Sequence, residues 1–441
     1  MRRGTTGGEP ASPLVLPCPC CTLRSIPLEL IYGKVSFGTR MKAYSFEMGP
    51  IRPPSEGQDC SLLIRATRNC PWNRCHFCRT YQGLKFGYRS VAEIKADIDT
   101  ALALSQEIKA ASWRSGLGGI VGNSTLGVMV RTHPEVYGQG AAEPAEMEAR
   151  LSSLVNVGRW LASGGRTAFL QDANTIIMRT PELVEVIKYL KEAFPTLERV
   201  TSYGRAKTAA RKSPEEMKAI HEAGLSRLHV GLESGCDQVL ERMEKGVTAA
   251  EHITGGRRVV EAGISLSEYV MPGLGGRRWS REHALETARV LNEIGPDFIR
   301  LRSLIVRPGS PLFVEMEEGD FEPLGEDEVI DEIALFISNL SCHSYLASDQ
   351  MSNLLGEIEG QLPQDKEEIL AVINHYRAMP LPERLGFRLK RRLGAHLAVF
   401  GQLEPGLKAM VEEALGSLKT EAADAEDKVD KAIVALKRGF I

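Results

Sequence analysis

The sequence has no apolar run near the ~18 residues that a membrane span requires, so no spanning helix is expected. It has no surplus of one charge either: 54 Lys and Arg stand against 57 Asp and Glu, a net −3. That balance gives no general pull toward nucleic acid or anionic lipid. Arg2 and Arg3 are not followed by a continuous apolar stretch, so the N-terminus does not read as a signal peptide. The nine cysteines are odd in number and unevenly spread, which argues against a secreted disulfide framework. A cytoplasmic protein with reduced thiols is the resulting expectation.

What is present is an ordinary globular composition, 43% hydrophobic and 25% charged. At 441 residues the chain is too long for one small domain, although an α/β barrel could take up most of it. Residues 1–45 show no sustained period and are expected to be a disordered extension, with 1–40 expected to lie upstream of the true start. Intact mass of the native product would test that start. "PCPCC", with Cys18, Cys20 and Cys21, lacks the partners of a metal site.

Six strand-like runs follow: "SLLIRAT", "TAFLQDAN", "RVTSYGR", "RLHVGLESG", "ISLSEYVMPG" and "FIRLRSLIVRP". Helical patterns alternate with them. "TPELVEVIKYLKEAF" and "SPEEMKAIHEAG" carry start signals, and the second stops at Gly224. Strand alternating with helix predicts a parallel sheet with crossover helices. The expected fold is α/β, a partial six-unit parallel β/α barrel over 55–315 with an appended all-α region over 320–441; a flat doubly wound sheet is the competitor. Residues 108–165 break the spacing and are expected to be an insertion of one loop and one extra helix. The helical tail is expected to cap the barrel and shape substrate access.

The chemistry is expected where strands end. "NCPWNRCHFC" follows the first strand and places Cys70, Cys75 and Cys78 within nine residues. Two metal readings stay open: zinc completed by His76 as Cys₃His, or an iron–sulfur cluster, which usually takes four thiolates. With three, one iron is left for a substrate or cofactor.

This pattern resembles the radical S-adenosylmethionine superfamily. The superfamily's usual spacing is three residues then two, with an aromatic before the last cysteine. Phe77 holds that place, while four residues, "PWNR", separate the first two cysteines. Residues 231–264, "GLESGCDQVLERMEKGVTAAEHITGGRRVVEAGI", resemble the branch of oxygen-independent coproporphyrinogen dehydrogenases, tRNA methylthiotransferases and the elongator catalytic subunit. The likeness covers about residues 60–312.

The resemblance implies a [4Fe-4S] cluster on Cys70, Cys75 and Cys78. Its open iron would bind S-adenosylmethionine. Reductive cleavage would then yield a 5′-deoxyadenosyl radical that takes hydrogen from an unidentified substrate. A low-potential donor such as a flavodoxin or ferredoxin is implied too. The resemblance further assigns cofactor contacts. Asp172 and Asn174 would receive the amino group, unless Asp172 caps the next turn. Arg205 would fork onto the carboxylate, or stand exposed. Glu233 would accept the ribose hydroxyls, with Lys245 as the motif's basic position. Gly273 and Gly275 would let the backbone approach the adenine or methionine.

Arg300 and Arg302 share one strand face and either read an acidic substrate or neutralise neighbouring carboxylates. "RLKRRLGAH", 388–396, is a basic patch that either touches RNA or forms a solvated helix face; nucleic acid is not the expected partner. Only one cysteine follows Cys236, so the tail has no ligands for an auxiliary cluster. It shows no acetyltransferase-like glycine motif, which argues against elongator-type activity. The rival from another class is an iron–sulfur or zinc protein with a structural or electron-transfer role.

Overall fold

The computed structural model describes residues 44–53, 61–438 and 440. The expectation for 1–45 therefore falls almost wholly outside the described residues.

All six strand-like runs form strands: β1 Ser61–Arg65, β2 Thr167–Gln171, β3 Arg199–Gly204, β4 Leu225–Glu233, β5 Ser265–Val270 and β6 Phe298–Leu301. They lie side by side in chain order, every pair parallel. Helices return the chain between them, as parallel neighbours require. Thr180–Ala193 follows β2, Pro214–Ala223 follows β3, Ala249–Glu261 follows β4, and Gly276–Ile294 follows β5. Their ends obey local chemistry. Ser213 and Glu216 form a reciprocal cap at the start of Pro214–Ala223, and Gly224 ends it at φ 123°. The connection from β1 to β2 is more helical than expected, with Val91–Arg114, Asn123–Thr132, Pro134–Tyr137 and Pro144–Ala162 in succession.

The sheet does not stop at six strands. β7 Ser344–Ala347 runs parallel to β6, and β8 Gly360–Leu362 runs antiparallel to β7. "SDQMSNLLGEIEG", expected to be helical, holds turns and the start of β8. Four- and three-residue strands carry no measurable period, and β7 is paired because β6 offers it an edge. Among the described residues the sheet is open, with β1 at one edge and β8 at the other. The helices Glu326–Ser338, Lys366–Ala378, Leu381–Phe400, Pro405–Lys419 and Ala425–Lys437 supply the appended helical part.

Strand alternation gives the sheet two unlike faces. One is mostly apolar: Leu170, Val200, Leu228, Val230, Leu266 and Ile299 are all fully or nearly fully buried, with Ser202 and Glu268 buried among them. The other is polar and aromatic. On it Phe169, Tyr203, His229 and Tyr269 meet ring to ring at 5.4–6.4 Å, and Arg300 pairs in register with Tyr269.

The basic patch 388–396 exposes Lys390 and Arg391 but turns two of its arginines inward. Arg388 and Arg392 are buried. Arg388 donates to the Tyr376 hydroxyl at 2.9 Å and pairs with Asp327. Arg392 reaches Glu326 at 2.6 Å and the carbonyls of Met351 and Asn353. Neither the RNA reading nor the solvated-face reading describes these two arginines. Among the described residues no helix is long and apolar enough to cross a membrane.

Candidate active site

Beyond β1 the chain makes a two-residue ribbon, Thr67–Arg68 against Gly87–Tyr88, and the cysteine loop is the excursion between its halves. Asn69 and Asn73 turn the loop with φ of 68° and 52°, a conformation asparagine tolerates better than most residues. Asn73 then ties the loop to itself, donating to the carbonyls of Tyr81 and Leu84. Its backbone N–H points at Cys70 Sγ, 3.4 Å away. Cys70, Cys75 and Cys78 are free thiols, each partly exposed.

Trp72 shows what the four-residue spacing does. Its indole N–H donates to the Glu244 carbonyl at 2.5 Å. The ring lies under the guanidiniums of Arg205 and Arg74, 5.1 and 5.2 Å from its centroid. Gly246, at φ +67°, leaves room for it; a Cβ there would strike the indole. Gly246→Ala should therefore cost about 2 kcal/mol, from the left-handed backbone and the displaced ring together. A urea midpoint within error of wild type would remove this account of the loop.

The loop sits against β4. Lys245 Nζ bonds Glu233 Oε1 at 3.1 Å and lies 5.6 Å from the centre of the Phe77 ring. Glu233 itself has φ 63°, next to an irregularity in the β4–β5 pairing. Strained strand ends of this kind concentrate at functional sites. Arg205 Nη2 donates to the Lys245 carbonyl at 2.5 Å. Burial pushes the Cys75 thiol up to about 11, against the pull of Lys245 and Arg205. Burial alone would lower the Lys245 ammonium, but Glu233 and Cys75 outweigh it and hold it above its ordinary value. Three thiols, two cations and one carboxylate thus share one electrostatic neighbourhood.

Three thiols can hold an iron–sulfur cluster with one iron left open, whereas the zinc reading needs a fourth protein ligand. His76, the fourth ligand of the zinc reading, turns to Glu315 at 2.6 Å and Glu244 at 3.6 Å.

The other expected cofactor residues are at the expected strand ends, but their side chains are engaged elsewhere. Asp172 is fully buried. Its carboxylate accepts from Arg65 Nε and Nη2 at 3.0 and 2.8 Å, from the Asn69 N–H at 2.9 Å and from the Tyr81 hydroxyl. It anchors the cysteine loop to β1 and β2. Asn174 Oδ1 accepts the Arg205 N–H at 3.0 Å and its amide donates to Thr208 at 2.9 Å, so it holds the exit of β3. Arg205 is neither exposed nor forked onto a carboxylate; it lies over Trp72. Gly273 takes φ 87° and donates its N–H to Glu332 at 2.6 Å. At Gly275 a Cβ would come within 2.8 Å of the Trp279 carbonyl. Gly273 is required by its left-handed backbone, and Gly275 by the close approach of helix 276–294.

Sequence reading missed several residues here. Trp72 lay inside the motif but no pattern named it. Ser234, in "GLESG", meets His283 Nδ1 at 2.8 Å, and Glu332 bonds Ser280 at 2.6 Å. The first bond ties the loop after β4 to helix 276–294, and the second joins that helix to helix 326–338. Tyr203 and Tyr269 share a face by strand alternation, the one signal that could have found them.

Known proteins resemble parts of this chain. Residues 174–289 match the model of the Radical SAM superfamily, a stretch that begins after the cysteine loop. The tRNA uridine(34) acetyltransferase of Methanocaldococcus infernus is 23% identical over 123 residues, covering 28% of this chain and 23% of that protein. Its counterpart from Methanocaldococcus jannaschii is 22% identical over 121 residues, 27% of this chain and 22% of that protein. The match thus spans less than a quarter of these curated relatives. Similar solved structures include an archaeal Methanocaldococcus infernus Elp3 with an N-terminal deletion, at TM-score 0.35 and 17% identity, covering 48% of this chain and 51% of that one. Coproporphyrinogen III oxidase (HemN) from Escherichia coli is another, at TM-score 0.37 and 11% identity, covering 63% and 52%. Enzymes of this superfamily use a [4Fe-4S] cluster and S-adenosylmethionine. Over residues 174–289, about a quarter of its length, the chain is similar to the Radical SAM superfamily.

Proposed function

We propose that this chain binds a [4Fe-4S] cluster on Cys70, Cys75 and Cys78, and S-adenosylmethionine beside it, and uses them on a substrate bound against the polar face of the sheet. The observation that carries this is the meeting of three unbridged thiols with Lys245, Arg205 and Glu233 at the carboxyl ends of β1, β3 and β4. When bound, the cluster supplies one low-potential electron to the sulfonium of S-adenosylmethionine, whose cleavage gives the radical that takes hydrogen from substrate.

The protein's own residues have definite tasks in this reading. Lys245 and Arg205 offset the negative charge of thiolates held in a partly buried place. Phe77 packs with Cys236, Met243, Leu274, Leu312 and Phe321 behind the loop, and keeps water from that side. Glu233, re-aimed by its left-handed backbone, presents a carboxylate that can accept hydroxyls of a ribose, with Lys245 fixing its position. Asp172, Asn174, Gly273 and Gly275 serve as scaffold for the loops that carry these groups. A reduced flavodoxin or ferredoxin would deliver the electron.

The test is anaerobic. The protein is reconstituted with iron and sulfide, reduced, given S-adenosylmethionine, and assayed for 5′-deoxyadenosine by mass spectrometry beside a Cys75→Ala control. Product from wild type at least 100-fold above the control is expected. A well-formed cluster that gives no product above the control would move the protein to a structural or electron-transfer role.

A further inference from the structure

We infer that Glu332, on helix 326–338, is a positioning residue for Glu233: through His283 and Ser234 it holds the exit of β4 in the shape that presents the Glu233 carboxylate. The inference rests on the proposed function in one respect: it takes Glu233 as a contact of S-adenosylmethionine.

The exit of β4 needs such support. Glu233 has φ 63° and sits where the β4–β5 register breaks. A left-handed backbone under a full side chain persists only where its surroundings over-determine it. The Met271 N–H donates to the Glu233 carbonyl at 3.0 Å. The next residues are pressed against helix 276–294. The Gly235 N–H donates to Thr287 Oγ1 at 2.8 Å, and a Cβ on Gly235 would come within 2.5 Å of the Glu286 carbonyl oxygen.

A buried polar chain fixes both flanks of Glu233. Ser234, His283, Thr287 and Glu332 are all buried, Glu332 with 4% exposure. The Cys236 N–H donates to Ser234 Oγ at 3.1 Å, and Ser234 Oγ meets His283 Nδ1 at 2.8 Å. The other ring nitrogen, Nε2, lies 3.2 Å from the Met271 carbonyl and 3.6 Å from Glu332 Oε1. With the ring proton on Nε2, the ring donates toward Met271 and Glu332 and accepts the Ser234 hydroxyl. Glu332 completes the chain. It accepts the Gly273 N–H at Oε1 and the Ser280 hydroxyl at Oε2, both at 2.6 Å. One carboxylate thus bears on the residue after Glu233 and on the segment 271–273 that bonds it. Apolar packing alone would seat a helix without the cost of burying a carboxylate. A partnered polar network adds direction and selects one local arrangement. Glu332 lies beyond residues 174–289, so the chain draws its appended helical part into the candidate site.

Reconstituted, unreduced protein is titrated with S-adenosylmethionine by calorimetry, so that binding is read without cleavage. Glu332→Ala should weaken binding about 10-fold, the scale on which a displaced supporting group costs function. Glu332→Gln, which keeps an oxygen for the Gly273 N–H, should recover most of that loss. Asp331→Asn, on the exposed side of the same helix against Arg377, should change nothing. In a Glu233→Gln background the further effect of Glu332→Ala should fall below about 2-fold, because it passes through Glu233. His283→Asn cuts the same chain and replaces Glu332→Ala in every arm if that variant does not fold. Hydrogen exchange of iron-free protein gives a second reading: amides 233–236 should exchange about 10-fold faster in Glu332→Ala, with 199–204 unchanged. Wild-type affinity in Glu332→Ala, a full loss that persists without the Glu233 carboxylate, or unchanged exchange over 233–236 overturns the inference. Failure of the wild type to bind S-adenosylmethionine overturns the proposed function instead, and exchange then decides the role of Glu332.

Discussion

Asp172→Ala should lower the stability of the iron-free protein by about 3 kcal/mol, the lower end of what breaking a buried ion pair costs. The carboxylate is wholly buried and takes three kinds of donor at once: a guanidinium, a backbone N–H and a phenol. Removing it strands Arg65, whose side chain is 13% exposed, next to an N–H and a hydroxyl without acceptors. Glu47 still holds Arg65 Nη1 at 3.0 Å, which keeps the loss from the upper end of the range. The damage is also local, because Asn69 immediately precedes Cys70. Iron retained after reconstitution should fall at least 5-fold. Urea unfolding and iron assay check the two halves. A variant with wild-type midpoint and wild-type iron would show that Asp172 does not anchor the loop.

The second large effect lies at Glu326, which begins helix 326–338 and is 8% exposed on its side chain. Its oxygens meet Arg392 at 2.6 Å and Lys437 at 2.8 Å, so one carboxylate joins three helices. Burial alone would raise its pKa; Lys437 and Arg392 outweigh burial and bring it down to about 2. A depressed carboxylate contributes stability that is complete above the unfolded pKa and is lost as pH falls toward the folded one. The window here runs from about 4.5 down to about 2. The full contribution is about 3 kcal/mol, and about 2 kcal/mol of it should be gone at pH 3. Glu326→Gln should therefore be less stable than wild type by about 3 kcal/mol at pH 7, and the gap should shrink to about 1 kcal/mol at pH 3. Other carboxylates titrate in both proteins, so the difference isolates this one. A gap that stays constant with pH would mean Glu326 contributes through shape and not charge.

These two residues show where sequence reading stops. The six core strands were legible because each is rich in β-branched or other apolar residues and ends in polar or glycine signals. The cysteines were legible because their spacing is local. Asp172 could be placed at a strand end, but its partner Arg65 is more than a hundred residues away and no local pattern joins them. Glu233 and Lys245 are only twelve residues apart, and their pairing follows the motif that named them. Gly273 and Gly275 show a different limit. A left-handed turn, as at Gly273, and close approach of a helix, as at Gly275, call for glycine just as close approach of a ligand does, so the residue type alone cannot say which is meant. "SYLA" and "GQL" failed for want of length: their strand state depends on a neighbour and not on their own period.

Those two short strands decide what the outside of the sheet offers to other chains. Without β7, the backbone N–H and C=O groups of β6 would line an open rim, a template on which a second copy could dock strand to strand. With β7 in place and β8 turned antiparallel beyond it, the rim presents three residues and then the turn at Pro363. Because β7 is made more than forty residues after β6, a nascent chain has an interval in which that rim is bare. The segment 344–362 thus closes the rim that β6 would otherwise leave unpaired, and leaves a three-residue edge in its place.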